Sequence, residues 1–284
     1  MWETIILRPV INVLVVLTNS VGGSFGLAVI ILTIAIRLAT MPLTLKQLHS
    51  TRAMQALSPT LKQLQKTYEK DKQKLQQETM KLYREAGMNP LGCIVPMIIQ
   101  FPIWIALYQS IVKSLGSSPE DLLGLSRLLY SWSAVHQAIP LNDHFLWLKL
   151  SIPDPIYILP VLVGISMWLQ QKMTTPTGAG ADPSQTQMNS MMLYMMPIMF
   201  AILTLQFPAG LGLYWVAYNV IGIFIQYFVT GWGGLATVPG FKQLAARGKT
   251  LPGSMVLTGT IKQSPAQKKV KHGQGLPGDK RKDR

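Results

Sequence analysis

The sequence predicts an all-α integral membrane protein with five transmembrane helices, a cytoplasmic helical hairpin and an N-terminal interfacial helix. Three observations carry that expectation. Of 284 residues, 49% are hydrophobic and 13% charged, against roughly 25% charged in ordinary soluble domains. Apolar runs long enough, or nearly so, to cross a bilayer as a helix recur along the chain. The Lys and Arg residues gather in a few connecting segments, the pattern of chains that obey the positive-inside rule.

Residues 1–21 contain Ile5 to Leu17, interrupted by Arg8-Pro9. The clean run that remains is too short to span, so a helix lying in the interface is expected; the alternative is a sixth span. The chain opens Met-Trp-Glu-Thr, with no basic n-region, and a cleaved signal peptide is not expected. Residues 22–43 hold the first span, broken by one charge, Arg37.

Residues 44–89 are polar, with nine Lys/Arg against four acids, and form the expected hairpin. Ser58-Pro59 has the look of an N-cap followed by proline at the first helical position. Gly87 with Asn89-Pro90 is a stop signal. Leu61, Tyr68, Leu75 and Leu82 recur every seven residues, joined by Leu64. Asp71 and Glu78 stand where a coiled-coil seam needs apolar residues. Half a seam predicts a hairpin that breaks near Lys70-Asp71, moves relative to the spans and offers its stripe to a partner.

The second span, in 90–113, is free of charge from Leu91 to Val112, with Pro96 and Pro102 expected to kink it. An extracytoplasmic segment follows over 114–153. The third span lies in 154–172, a cytoplasmic loop in 173–189, the fourth span in 190–207 and the fifth in 211–232. The third and fourth are short and should stand with little tilt. The tail, 233–284, has eleven Lys/Arg and two acids after Trp232. It cannot bury enough apolar surface to fold alone. Its cations, among them Lys268, Lys269, Lys271, Lys280, Arg281, Lys282 and Arg284, suit a ribosomal or anionic-lipid surface. Short basic loops stay in the cytoplasm, which puts the N-terminus outside and the tail inside.

The formal net charge of +14 points to nucleic acid, ribosome or anionic lipid as partner. Cys93 is the single cysteine, so no intrachain disulfide forms. Arg37 is the most informative residue. A guanidinium keeps its charge, at a cost of about 2.5 kcal/mol or more in mid-membrane. None of the five apolar runs, the third counted from Pro155 to Gln171, contains an acid. Other spans carry polar faces at helical spacing: Gln100, Trp104 and Tyr108; Ser166 and Gln170; Trp215, Asn219, Gly222 and Gln226. Together with Arg37 they predict one hydrated groove whose missing counter-charge arrives with a substrate. Met188, Met191, Met192, Met195, Met196 and Met199 crowd the fourth span, where flexible thioethers suit varied apolar partners; Pro197 should kink it. No metal-spaced cluster, nucleophile elbow or phosphate loop stands out, so neither catalysis nor a cofactor or metal is expected. A small-solute transporter or channel is the alternative, but no internal repeat is evident.

Three motifs resemble the YidC membrane-protein insertase family, which includes mitochondrial oxidase-assembly and chloroplast Albino relatives. They are Ile36-Arg37-Leu38 with Met41-Pro42-Leu43-Thr44-Leu45-Lys46-Gln47, the run from Lys81 through Asn89-Pro90-Leu91-Gly92-Cys93 to Gln100-Phe101-Pro102-Ile103, and Phe207-Pro208-Ala209-Gly210-Leu211-Gly212-Leu213-Tyr214-Trp215 with Asn219. The resemblance covers roughly residues 22 to 232. It implies a five-helix membrane core with a cytoplasmic helical hairpin in a bacterial plasma membrane, and the sequence departs from Gram-negative members in lacking a large periplasmic domain between a first anchor span and the core. It also implies insertion and folding of membrane proteins, alone or beside the Sec translocon. Arg37 falls at the position of the family's groove arginine, and Met191, Met192, Met195, Met196 and Met199 would form an apolar slide for clients.

Overall fold

The computed structural model describes residues 1–85, 94–116, 118–132, 135, 141–175 and 183–238. The Gly87 and Asn89-Pro90 stop, Cys93 and the basic tail from 239 lie outside them. The chain is mostly helical. A π-helical turn, Glu3–Leu7, leads into α1 (Arg8–Ser20). Then come α2 (Phe25–Ala39), α3 (Met41–Ala56), α4 (Ser58–Thr67), α5 (Lys72–Glu85) and α6 (Ile94–Ser114). The segment between α6 and the next long helix contributes α7 (Pro119–Leu128) and a two-stranded antiparallel ribbon, β1 (His144–Phe145) and β2 (Leu148–Lys149). The chain continues with α8 (Ile158–Thr174), α9 (Pro183–Thr204) and α10 (Ala209–Thr230).

Helix α10 is the hub, packed against α2, α8, α6 and α9. The core between them is apolar and fully enclosed: Phe25, Ala28 and Val29 of α2, Leu107 and Ile111 of α6, Leu159 and Val163 of α8, and Leu211 and Tyr214 of α10. These contacts fix the spacing of the polar side chains one helical turn away.

By length and composition, Glu3–Ser20 and Ala209–Val229 are able to cross a membrane among the described residues. Phe25–Ala39 and Met41–Leu48 pass the same test as a pair bent by 58°. The helix that carries Arg37 therefore ends at a bend at Thr40, three residues before the Leu43 expected to close the first span. Pro42 causes it: it has no N–H for the carbonyl of Leu38, and it restricts Met41. Helix α8 has 17 residues, a length of about 26 Å at 1.5 Å per residue against a hydrocarbon core of about 30 Å. Within α9, Ser190–Thr204 is a shorter apolar helix. A five-span count thus rests on the apolar pattern of α6, α8 and α9 as well as on length.

The N-terminal helix is tied at both ends to the same side of the bundle. Trp2 Nε1 donates to Gln109 Oε1 at 2.8 Å, and Glu3 pairs with Lys113 at 3.3 Å, both near the C-terminal end of α6. Just past the other end of α1, Ser24 bridges to Asn142. In between, Leu7, Ile11 and Val15 pack on Leu125, Leu128 and Leu129. Asn12 is buried in this joint. Its Nδ2 donates to the carbonyls of Arg8 (2.7 Å) and Leu128 (2.9 Å), and its Oδ1 accepts from Tyr130 N at 2.7 Å. Asn12→Ala removes all three bonds and leaves the Tyr130 N–H without its acceptor, at about 1–3 kcal/mol. The expected result is a lower melting temperature in detergent, with faster amide exchange over residues 119–130. Wild-type exchange there would show that the joint is held by its apolar contacts alone.

Helix α7 was legible in the sequence but is absent from the expectations above. Ser118-Pro119-Glu120-Asp121 is a capping box: Asp121 N donates to Ser118 Oγ, and Ser118 N to Asp121 Oδ2.

The hairpin turns at residues 68–71, where its broken seam placed the turn. Asp71 has a positive reason to be there: its Oδ1 accepts from Lys74 N at 3.0 Å and caps α5. Helix α4 begins one residue earlier than the Ser58-Pro59 signal implied, with Leu57 at the cap position. The apolar stripe corrects a larger expectation. Leu57, Leu61, Leu64, Leu82 and Tyr83 are buried together, flanked by Tyr68 and Leu75. The stripe zips the two arms to each other, so it is not an open surface for a partner. Leu64→Ala should loosen both arms, because a buried Leu-to-Ala change costs about 2–5 kcal/mol. Amide exchange over Lys72–Glu85, across the hairpin from the substitution, should rise; a change confined to α4 would refute the zip.

Candidate functional site

Arg37 lies in the last turn of α2, just before the Thr40 bend. Its side chain crosses to α10 and is 3% exposed. Nη2 and Nε donate to the carbonyl of Tyr218 at 2.6 and 3.2 Å. The guanidinium carbon sits 3.5 Å from the centroid of the Tyr218 ring, a cation–π contact of the kind that strengthens when water is excluded. The ion pairs among the described residues are Lys113–Glu3, His144–Asp143 and Lys149–Asp143, and none involves Arg37. Its charge is therefore held by a backbone dipole and a ring face, with no carboxylate beside it among the described residues.

The other polar groups continue from this point along α8 and α10. Gly222 lies against Arg37 Nη2 and the amide of Gln170. Asn219 Nδ2 donates to Ser166 Oγ at 3.2 Å in buried surroundings. Gln226 Nε2 donates to Thr174 Oγ1 at 3.1 Å. On the α6 side, Gln100 Nε2 donates to the Tyr214 hydroxyl at 2.5 Å, and the Tyr214 ring lies 5.8 Å from that of Tyr218. Arg37, Gln100, Ser166, Gln170, Asn219 and Gln226 thus share one polar strip between α2, α6, α8 and α10.

Trp104, Tyr108 and Trp215 belong to a different neighbourhood. The indoles of Trp104 and Trp215 are stacked at 6.1 Å. Phe207 meets Trp104, Tyr108 and Trp215 edge-on at 5.3–6.4 Å, and Phe200 meets Trp215 at 5.0 Å. These residues form an aromatic cluster beside the 207–210 connection. Aromatic rings and polar strip share a helical face in α6 and α10 but separate along the helix axis.

On α9, Met191, Met192, Met195 and Met199 are exposed at the surface of the chain, and Met196 is half-buried. Leu193 and Pro197 on the other face are buried. The side chain of Met188, and Lys268, Lys269, Lys271, Lys280, Arg281, Lys282 and Arg284, lie outside the described residues. Tyr214, Tyr218 and Thr174 are partners of this strip that sequence reasoning missed. Tyr214, Tyr218 and Gly222 do recur every four residues, which was a signal. That Tyr218 acts through its carbonyl had none.

Residues 16–233 match the family described as 60Kd inner membrane protein. The chain belongs to this family. Among its relatives, membrane protein insertase YidC 1 of Halalkalibacterium halodurans is 38% identical over 234 residues, covering 81% of this chain and 79% of that one. Membrane protein insertase YidC of Oceanobacillus iheyensis is 39% identical over 230 residues, with 78% and 81% covered. Membrane protein insertase MisCA of Bacillus subtilis is 36% identical over 235 residues, with 81% and 79% covered. Among solved structures, an active YidC insertase crystal structure with its first transmembrane domain resolved matches with a TM-score of 0.52 at 25% identity. It covers 74% of this chain, which spans 43% of that one. These relatives carry insertase names, and nothing among them supports a solute transporter.

Proposed function

We propose that this 60Kd inner membrane protein family member is a membrane protein insertase that inserts and helps fold nascent membrane proteins in a bacterial plasma membrane. The observation that carries the mechanism is the buried Arg37, bonded to a carbonyl and without a carboxylate beside it among the described residues. A fixed positive charge in low dielectric attracts an acidic extracytoplasmic segment far more strongly than it would in water. The polar strip through Gln100, Ser166, Gln170, Asn219 and Gln226 offers hydrogen bonds to a client backbone entering from the cytoplasm. The aromatic cluster of Trp104, Tyr108 and Trp215 closes that strip toward the outside. The exposed Met191, Met192, Met195 and Met199, with Met196, give the client's apolar segment a compliant surface to follow into lipid.

The same proposal has five spans with the N-terminus outside and the tail inside, where the ribosome and the Sec translocon are partners. An interfacial N-terminal helix is supported by its contacts: a spanning helix would have its ends on opposite sides, whereas both ends of this one meet neighbouring outer ends of α6 and α2. Depletion of the protein in cells should leave membrane proteins with short translocated tails uninserted and protease-sensitive. Normal insertion of such clients after depletion would refute the function.

A further inference from the structure

We propose that Gly222 is a positioning residue for Arg37: by carrying no side chain, it opens the Tyr218 carbonyl to the guanidinium and sets where the charge stands. The inference deepens the insertase reading of Arg37 and rests on it for its effect on clients, though not for its geometry.

In an α-helix each Cα–Cβ bond tilts toward the N-terminus, so a side chain at 222 would lie over the preceding turn, which carries the Tyr218 carbonyl. A Cβ placed at 222 would fall on Arg37 Nη2 and Gln170 Nε2, with Gln170 Cδ 2.9 Å away. The space a methyl group would fill is already taken by two hydrogen-bond donors. A regular helix assigns the Tyr218 carbonyl to the Gly222 N–H. A carbonyl oxygen has a second lone pair, and Arg37 uses it at 2.6 Å.

Backbone conformation does not call for glycine here. Among the described residues the glycines with positive φ are Gly22, Gly23, Gly231 and Gly233, and Gly222 lies inside α10. Glycine in a helix interior is about 1 kcal/mol worse than alanine. What sets its worth at 222 is the group it admits. Gly212 of the same helix differs: a Cβ there meets Leu159 and Thr204, so its space serves helix packing alone.

Tyr218-Asn219 is the single Tyr-Asn pair in the chain. Labelling with [1-13C]Tyr and [15N]Asn therefore isolates one carbonyl by carbon–nitrogen filtered solid-state NMR of the full chain in phospholipid vesicles. Gly222→Ala and Arg37→Ala should each move the Tyr218 carbonyl signal upfield, and the double variant should move it no further. In insertion assays Gly222→Ala should lower yields for acidic-tailed clients, by a smaller factor than Arg37→Ala because the charge is displaced and not removed, with neutral-tailed clients losing much less. Gly212→Ala should show no such selectivity. If Gly222→Ala alone fails to fold, adding both Arg37→Ala and Gln170→Ala removes the two collisions and should restore folding; a triple variant as unfolded as the single overturns the proposal. So does an unmoved carbonyl signal in a folded Gly222→Ala. A moved signal with every client unaffected upholds the positioning and removes Arg37 from the insertion mechanism instead.

Discussion

Arg37→Ala is expected to reduce insertion of clients with Asp- or Glu-bearing translocated tails by roughly ten- to a hundredfold. Hydrogen bonds to charged groups are worth about 1.5–3 kcal/mol, and each 1.4 kcal/mol is about tenfold. Clients with neutral tails should lose much less, because their attraction to the strip does not depend on net charge. Arg37→Lys should retain part of the activity. An ammonium still offers positive charge to a carboxylate, but it lacks the planar fork by which Nε and Nη2 both reach the Tyr218 carbonyl. Its compact charge also lies less well over the Tyr218 ring. The measurement is insertion of a matched client pair differing only in tail charge, scored by protease protection. Equal loss for both clients would mean that Arg37 supports the fold; no loss for either would remove it from the mechanism.

Removal of residues 239–284 is expected to abolish most salt-sensitive ribosome association while the bundle stays folded. The tail carries the Lys and Arg residues that follow Trp232, against two acids. If about six of those cations meet phosphate, counterion release makes affinity fall on the order of a thousandfold between about 50 and 200 mM salt. Co-sedimentation of full-length and truncated protein with ribosomes across that range checks both parts. The truncated form should bind weakly and with a shallow salt slope. The enclosed cluster around Phe25, Ile111, Leu159 and Tyr214, made by residues between Leu14 and Trp215, is the core expected to keep the truncated bundle folded. Salt-insensitive binding that survives truncation would place the ribosome contact on the hairpin instead.

Much of this architecture was written locally and was therefore readable. Apolar runs announce helices in lipid, because each backbone group must find its partner within the segment. The hairpin turn followed from Asp71 interrupting the leucine repeat, and the structure adds that the same carboxylate caps α5. A capping box announced α7. Arg37 stood out because a charge among apolar residues needs a reason. The sequence by itself also grouped Ser166 with Gln170 and Asn219 with Gly222 and Gln226, since residues at four- and three-residue spacing share a helix face.

Only the tertiary structure decided what these faces meet. A helix-face pattern carries no information about height along the neighbouring helix. That is why Trp104, Tyr108 and Trp215 join Phe207 in an aromatic cluster while Gln100 and Asn219 reach polar partners. The leucine stripe of the hairpin looked available in one dimension, but folding the arms together buries it in itself. The partner of Arg37 was beyond sequence reasoning in principle: it is a main-chain carbonyl, which every residue has. Which carbonyl is free to accept depends on a missing side chain one turn further along another helix, at Gly222.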